Sequence, residues 1–262
     1  MHKILITSLI SLILTTNVSA GTDSVNNLSK KNSGQVKDCF ENINRTTFKF
    51  NQVLDGVIFE PVAKAYRVLP STLRVGTSNA LDNLSNLVTI PNNILQGEFR
   101  KAGVNTGRFI INTTVGIVGV FNVAQKMGFP KYEKEDYGQT LGTIGFGAGC
   151  YVVLPILGPS TVRDTAGSFI NIFGGDPWYN ASVNGNNEFL SKSQYVATKV
   201  LTGVDFRAKN IDSIDNLEKN SMDFYASVKS LYLQDRQQKI VNKKNGALEI
   251  IYDGDWEEID SQ

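Results

Sequence analysis

The run Asp136-Tyr137-Gly138-Gln139-Thr140-Leu141-Gly142-Thr143-Ile144-Gly145-Phe146-Gly147-Ala148-Gly149-Cys150-Tyr151-Val152-Val153-Leu154-Pro155-Ile156-Leu157-Gly158-Pro159-Ser160-Thr161-Val162-Arg163 carries no charge between its two ends. An uncharged run of that length could in principle cross a bilayer, which takes about 20 apolar residues. Gly138, Gly142, Gly145, Gly147, Gly149 and Gly158, with Pro155 and Pro159, argue against a spanning helix. Each would weaken or break it. The run therefore reads as short apolar elements reaching part-way into lipid, with an extended stretch at Tyr151-Val152-Val153-Leu154. Beside lipid, the backbone of such elements must be satisfied by other protein or by a water-lined cavity. Ile117 to Ala124 is a second uncharged, glycine-flanked piece of the same kind.

Outward from this centre the periodicity is helical. Phe40, Ile43, Thr47, Phe50, Leu54 and Val57 recur at intervals of three and four, behind Asp38 and Glu41 at capping-box spacing, and predict an amphipathic helix with Asn44, Arg45, Lys49 and Gln52 on its other side. Val62, Ala65, Tyr66 and Leu69 continue the spacing from Pro61 to Pro70, so a kinked or broken pair is expected. Ser71 is the expected N-cap of a helix carrying Leu73, Leu81, Leu84 and Leu87, with Pro91 and Gly97 punctuating the next turn. Another helix is predicted from Phe99 to about Thr114, turning Val104, Phe109 and Ile110 to its apolar side. Helical spacing resumes over Phe189–Leu201 and Ile211–Leu233, the latter with Ile211, Ile214, Leu217, Phe224, Val228 and Leu231 as its stripe.

The ends set the compartment. Met1-His2-Lys3, the apolar run Ile4 to Leu14 and Val18-Ser19-Ala20 have the anatomy of a signal peptide, with cleavage expected before Gly21. Residues 21–37 are polar and read as a flexible leader. A helical domain is expected over 38–240 and an acidic tail over 241–262. Without Lys3, 25 basic side chains face 25 acidic ones, so no global field draws the chain to nucleic acid. Cys39 and Cys150, in an oxidising compartment, either pair, adding about 4–5 kcal/mol in the chain-entropy model, or stand as two separate buried thiols; the second is the default.

Catalytic signatures are weak. The one histidine is His2, inside the expected signal peptide, so the mature chain lacks the usual general base. Gly158-Pro159-Ser160 imitates half of a nucleophile elbow, but Val162 stands where the closing glycine belongs, and a turn serine is the better reading. Gly145 to Gly149 lacks the third glycine and acidic partner of a dinucleotide loop. Without histidine no metal site is expected, and no cofactor.

The same residues carry a resemblance that runs from about Cys39 to Asp176. Phe40-Glu41-Asn42-Ile43-Asn44-Arg45, Phe48-Lys49-Phe50-Asn51, Leu54-Asp55, Pro61-Val62-Ala63 and Tyr66-Arg67 open it. Asn92-Asn93, Leu95-Gln96-Gly97, Arg108-Phe109, Asn112-Thr113, Gly116, Gly119 and Phe121-Asn122-Val123-Ala124 continue it toward Met127-Gly128 and Pro130-Lys131. Its densest part is Tyr137-Gly138-Gln139-Thr140-Leu141-Gly142, Gly145, Gly147, Gly149, Tyr151, Leu154-Pro155, Gly158-Pro159-Ser160 and Arg163-Asp164. The chain thereby resembles the MlaA/VacJ family. This implies an all-α, ring-like arrangement of amphipathic helices in the periplasmic leaflet of the outer membrane around a central phospholipid channel. It also implies that the chain is not an enzyme: it removes misplaced phospholipid from the outer leaflet and passes it to a periplasmic lipid carrier, MlaC, with a trimeric porin as a further partner. Two departures stand out: Gly21 takes the place of the family's lipid-anchored cysteine, and Cys150 replaces a proline.

On that reading Gly145, Gly147 and Gly149 line or rim the lipid path, where a bare backbone admits a close approach. Leu154, Ile156 and Leu157 form its apolar wall. Phe50 and Asn51 are gating or boundary residues, and Arg163 and Asp164 mark the return to water. The alternatives are an exported lipid hydrolase using Ser160 or Cys150, and a structural or adhesive surface protein.

Overall fold

The structure, a computed structural model, describes residues 36–171, 175–183 and 190–244. The expected signal peptide, most of the leader and the acidic stretch from residue 245 lie outside the described residues. What is described is mostly helical, with one two-stranded sheet. Helix α1 (Glu41–Leu54) passes through a π-helical turn (Asp55–Phe59) into α2 (Glu60–Arg67), with Pro61 in the first turn, where its missing N–H costs nothing. Helix α3 (Ser71–Leu95) starts at Ser71 itself, with Pro70 before it and no side-chain cap, and runs on through Pro91. Gly97 (φ 76°) supplies the left-handed residue after its end. Helix α4 (Phe99–Thr114) has the predicted bounds and runs antiparallel to α3, as the side-chain pairs Asn93–Asn105 and Asn83–Thr113 require.

After the short α5 (Val123–Lys126), the central run divides into α6 (Tyr137–Thr143), a glycine loop, strand β1 (Tyr151–Leu154), strand β2 (Gly158–Thr161) and α7 (Val162–Ile170). β1 is the extended stretch expected at Tyr151; it pairs antiparallel with β2 in the register Tyr151↔Thr161 and Leu154↔Gly158. The chain continues through α8 (Pro177–Ser182), α9 (Lys192–Lys209), α10 (Ile211–Asn220) and α11 (Phe224–Lys244). The Ile211–Leu233 helix is thus two, divided at Ser221. Ser191 and Gln194 form a reciprocal capping box at the start of α9.

Helix α1 holds the free edge of β1 with two amides. Asn44 donates to the Tyr151 carbonyl at 3.0 Å and accepts from the Val153 N–H at 2.9 Å. Asn51 donates to the Leu154 carbonyl at 2.9 Å and accepts from the Ile156 N–H at 2.8 Å. A disulfide joins Cys39, ahead of α1, to Cys150, ahead of β1, so the default of two buried thiols is wrong; Cys39 is exposed and Cys150 half-buried. Asp38 is not a cap. Its carboxylate accepts from Asn44, the Tyr225 hydroxyl and Lys229, which ties α1 to α11. Burial alone would raise its pKa, but these donors hold it below the usual carboxylate range.

Burial is inverted relative to a water-soluble domain. Among the described residues that are fully buried, polar and charged side chains outnumber apolar ones. Helix α3 buries Ser78, Asn83, Thr89, Asn92 and Asn93, and α4 buries Ala102, Asn105, Arg108 and Asn112. Large apolar side chains point outward instead: Phe40, Ile43, Phe50, Val53 and Val57 on one face, Phe99, Ile110, Phe121 and Phe146 elsewhere. The stripe of α1 turns outward, whereas the stripe of the C-terminal helices does not face one way: Ile211 is buried and Phe224 and Val228 are half-buried. On α1 the inward side is Asn44, Phe48 and Asn51; on α11 it is Tyr225, Lys229, Tyr232, Arg236 and Ile240, while Leu231 is exposed. Conventional apolar packing is confined to small groups such as Ala63, Ala208 and Ile211 with Tyr66, and the edge-to-face rings of Phe48, Phe224 and Tyr225. No described helix is long and apolar enough to cross a membrane.

Candidate functional site: a polar lane between the helices

The glycines of α6 let three elements converge. A side chain at Gly167 of α7 would lie 2.3 Å from the Gly138 nitrogen, so α6 and α7 touch backbone to backbone. A side chain at Gly138 would meet Asp164 at 2.6 Å and Arg236 at 2.8 Å, and one at Gly142 would meet Ile240 of α11 at 2.6 Å. Only hydrogen fits at Gly138 and Gly167, where backbone stands in the way, whereas at Gly142 the tip of Ile240 would have to shift. Above Gly138, Arg236 bonds Asp136 in a fork (2.6 and 2.9 Å) and Asp164 through Nε and Nη2 (3.2 and 2.8 Å). Asp164 also accepts from Arg163 at 2.9 Å and from the Tyr232 hydroxyl at 2.7 Å. Asp136 is at the same time the N-cap of α6, accepting from the Gln139 N–H at 2.8 Å. Burial works to raise both carboxyl pKa values, but Arg236 outweighs it and holds them below the usual range. The Tyr232 hydroxyl is pushed up, first by burial and then by the Asp164 charge.

Three cavities follow one another around this network. The first, about 280 Å³, is lined by Val88, Leu154, Leu157 and Pro159 together with Ser160, Asp164, Tyr232 and Arg236 among others. The second, about 330 Å³, is lined by Asp82, Lys131, Lys134, Glu133, Glu135 and Lys239 among others. Asp136 and Arg236 line both, so one ion pair is their common wall. The second shares Asp82, Lys131, Tyr132 and Lys134 with a third of about 30 Å³, room for water only, among the amides of α3 and α4. Asp82 pairs with Lys134 and, at 3.5 Å, with Lys131; their charges hold its carboxyl below the usual range although burial opposes this.

The amides beyond are cross-linked. Thr140 donates to Asn92 at 2.6 Å and accepts from Gln96 at 2.7 Å; Asn105 donates to Asn93 at 2.9 Å. Arg108 reaches the Phe129 carbonyl at 2.8 Å and Asn122 at 3.1 Å, and Asn112 accepts from the Ala124 N–H at 2.9 Å. The Asn83 amide oxygen is buried without a protein partner at the rim of the third cavity.

The residues singled out in the sequence fall into three places. Leu154, Leu157 and Asp164 line the first cavity. Gly145, Gly147 and Gly149 line none of the three cavities; they form the exposed loop beside the hairpin, with Ile144 and Phe146 turned outward, and Ile156 and Leu157 make the exposed hairpin tip. Ile156 is there in the left-handed region, φ 68°. Phe50 is exposed on α1, and Asn51 finds its polar partners in the hairpin backbone rather than in water. Arg163 and Asp164 do not mark a return to water: both are buried, because each is the other's counter-ion inside the network. Arg236, Asp136 and Tyr232 were missed, although Tyr225, Lys229, Tyr232, Arg236 and Ile240 recur at helical spacing. Ser160 is buried, within 2.9 Å of the Thr165 hydroxyl and near Tyr232, neither of them a base, and Cys150 is consumed by the disulfide.

Residues 36–239 match the family model described as MlaA lipoprotein. The chain belongs to the MlaA family. An MlaA relative from Escherichia coli K12, the intermembrane phospholipid transport system lipoprotein MlaA, is 35% identical over 236 residues, 86% of this chain and 88% of its own length. The protein of that name from Haemophilus influenzae is 30% identical over 245 residues, 92% of each chain. A solved structure reported under "Structural basis for maintenance of bacterial outer membrane lipid asymmetry" superposes with a TM-score of 0.65 at 33% identity, covering 78% of this chain and 99% of that one. The MlaA-like motifs Asn92-Asn93, Arg108, Asn112 and Gly138 to Gly142 are, in this chain, the amide network and the glycine crossings.

Proposed function

We propose that the chain removes phospholipid from the outer leaflet of the outer membrane and passes it to a periplasmic carrier of the MlaC kind. The observation that carries this is the inverted burial: an apolar exterior with polar, cavity-bearing contacts between the helices suits a protein seated in lipid around a path for head groups. In this reading the helices form a ring in the periplasmic leaflet, with a trimeric porin as an outer-membrane partner. The first cavity belongs to the central channel. The loop Gly145–Gly149 and the tip Ile156–Leu157 rim its apolar side, and Phe50 and Asn51 set its boundary. We favour transport over hydrolysis, because the candidate nucleophile Ser160 has hydroxyl and carbonyl groups as its partners.

The test is genetic and chemical. A strain lacking the chain should accumulate phospholipid in its outer leaflet, detected by labelling intact cells with an impermeant amine reagent, and the wild-type chain should restore the normal level. Unchanged outer-leaflet labelling in the deletion strain would overturn the reading. Fatty acid released from labelled phospholipid by the purified chain, and abolished by Ser160→Ala, would favour a hydrolase instead.

A further inference from the structure

Arg236 stands where the two larger cavities meet, and its two carboxylate partners are not equivalent. Asp164 is buried, 6% exposed, and is also held by Arg163 and Tyr232. Asp136 has a side chain 48% exposed, and its remaining carboxylate bonds come from the Gln139 N–H and, at 3.3 Å, the Gln139 side-chain amide. Breaking the Asp164 contact would take one of two cations from a carboxylate that water cannot reach, whereas Asp136 released from Arg236 already stands in reach of water. The fork on Asp136 is therefore the exchangeable one.

A guanidinium fork fits a phosphate as it fits a carboxylate, with two parallel N–H bonds. Both cavities mix polar and apolar lining, but the first alone carries aliphatic side chains from the hairpin and α3, and the second alone carries lysines, which stand there among Asp82, Glu133 and Glu135. Val88, Leu154, Leu157 and Pro159 lie on one side of Arg236, and Lys131, Lys134, Lys239 and Glu133 on the other. We propose that Arg236 is the phosphate-binding station of the lane: it leaves Asp136, stays on Asp164, and takes the phosphodiester of a passing lipid in the place of Asp136. The acyl chains lie toward the hairpin and the polar head toward the lysines. Asp136 is thus a competitor for the lipid, closing the wall between the cavities when no lipid is present. The proposal rests on the transport reading above.

The experiment titrates the detergent-solubilised full chain with fluorescent phosphatidylglycerol, with a diacylglycerol carrying the same chains and fluorophore, and with inorganic phosphate. The wild-type chain should prefer the phospholipid to the diacylglycerol, and inorganic phosphate should displace neither. Arg236→Gln should weaken phospholipid binding about tenfold and leave the diacylglycerol unchanged. Asp136→Asn keeps the helix cap and frees the guanidinium, so it should strengthen phospholipid binding several-fold. Arg236→Lys, which keeps a cation for Asp164, should fall between wild type and Arg236→Gln, and supports the same comparison if the glutamine variant does not fold. Losses of equal size for both lipids in the Arg236 and Asp136 variants would show a merely structural wall and overturn the proposal. So would displacement of the phospholipid by inorganic phosphate, which would mark a site for the free ion. A wild-type chain that binds neither lipid would sink the transport reading as well, whereas binding of both without preference sinks only the role of Arg236.

Discussion

Asn44 and Asn51 stand seven residues apart on α1 and bond carbonyls three residues apart on β1, Tyr151 and Leu154. Two helical turns rise about 10.5 Å and three strand residues about 10 Å, so helix and strand are commensurate and the two amides replace a missing neighbour strand. Asn44→Ala would leave the buried Tyr151 carbonyl and Val153 N–H unpaired and should cost about 2–4 kcal/mol. Asn51→Ala, at the exposed tip, should cost about 1 kcal/mol. Chemical denaturation in detergent measures both; equal effects would mean that burial does not set the ranking.

The glycines divide into two kinds. Gly138→Ala and Gly167→Ala force contacts on Asp164 and on the Gly138 backbone, and each should destabilise by about 3 kcal/mol or more. At Gly147 nothing lies within 4 Å of an added Cβ, so Gly147→Leu should melt within a few degrees of wild type. A folded Gly147→Leu with raised outer-leaflet phospholipid would support the rim assignment; normal lipid asymmetry would remove it.

Reduction of Cys39–Cys150 opens a loop with a sequence separation of 111. The chain-entropy model assigns such a closure about 4–5 kcal/mol. Cys39→Ser, Cys150→Ser and the double variant should all lose the same amount, since each removes the one bond. Denaturant midpoints with and without a thiol reductant check this, and additive losses would contradict it.

Acid should unlock the network. Asp136, Asp164, Asp82 and Asp38 all have folded pKa values below their usual ones, so their contribution is complete above the unfolded value of about 3.9 and is lost as pH falls through the folded values. The melting temperature should hold level down to about pH 5 and drop below about pH 4. Asp164→Asn should start lower and show a shallower acid limb; a limb as steep as wild type would mean that other groups carry the transition.

The bounds of the first four helices were legible because helical spacing, Pro70 and Gly97 act locally, whereas the helix read over Phe189–Leu201 runs Lys192–Lys209 and the short helices of the central run were not read. The facing of the helices was not legible: spacing marks a stripe but does not say which side packs against other protein, so the polar side of α1, with Asn44, was not recognised as its buried side. The hairpin was half legible, since Tyr151–Leu154 has strand composition while Gly158–Thr161 does not. Arg236 was invisible because its partners lie 100 and 72 residues away. Cys150 is the instructive case, where a proline's local stiffness gives way to a long-range covalent tie that one sequence does not pair.

An interior of amides and ion pairs also changes how temperature acts on the fold. The heat-capacity change on unfolding grows with apolar area exposed and shrinks with polar area exposed, and it is what bends the stability curve of ordinary domains into a dome. Where Asn92, Asn105, Arg108 and Asp164 take the places usually held by leucine and phenylalanine, that curvature should be smaller. The fold should then lose little on cooling, with its rigidity set by hydrogen-bond geometry.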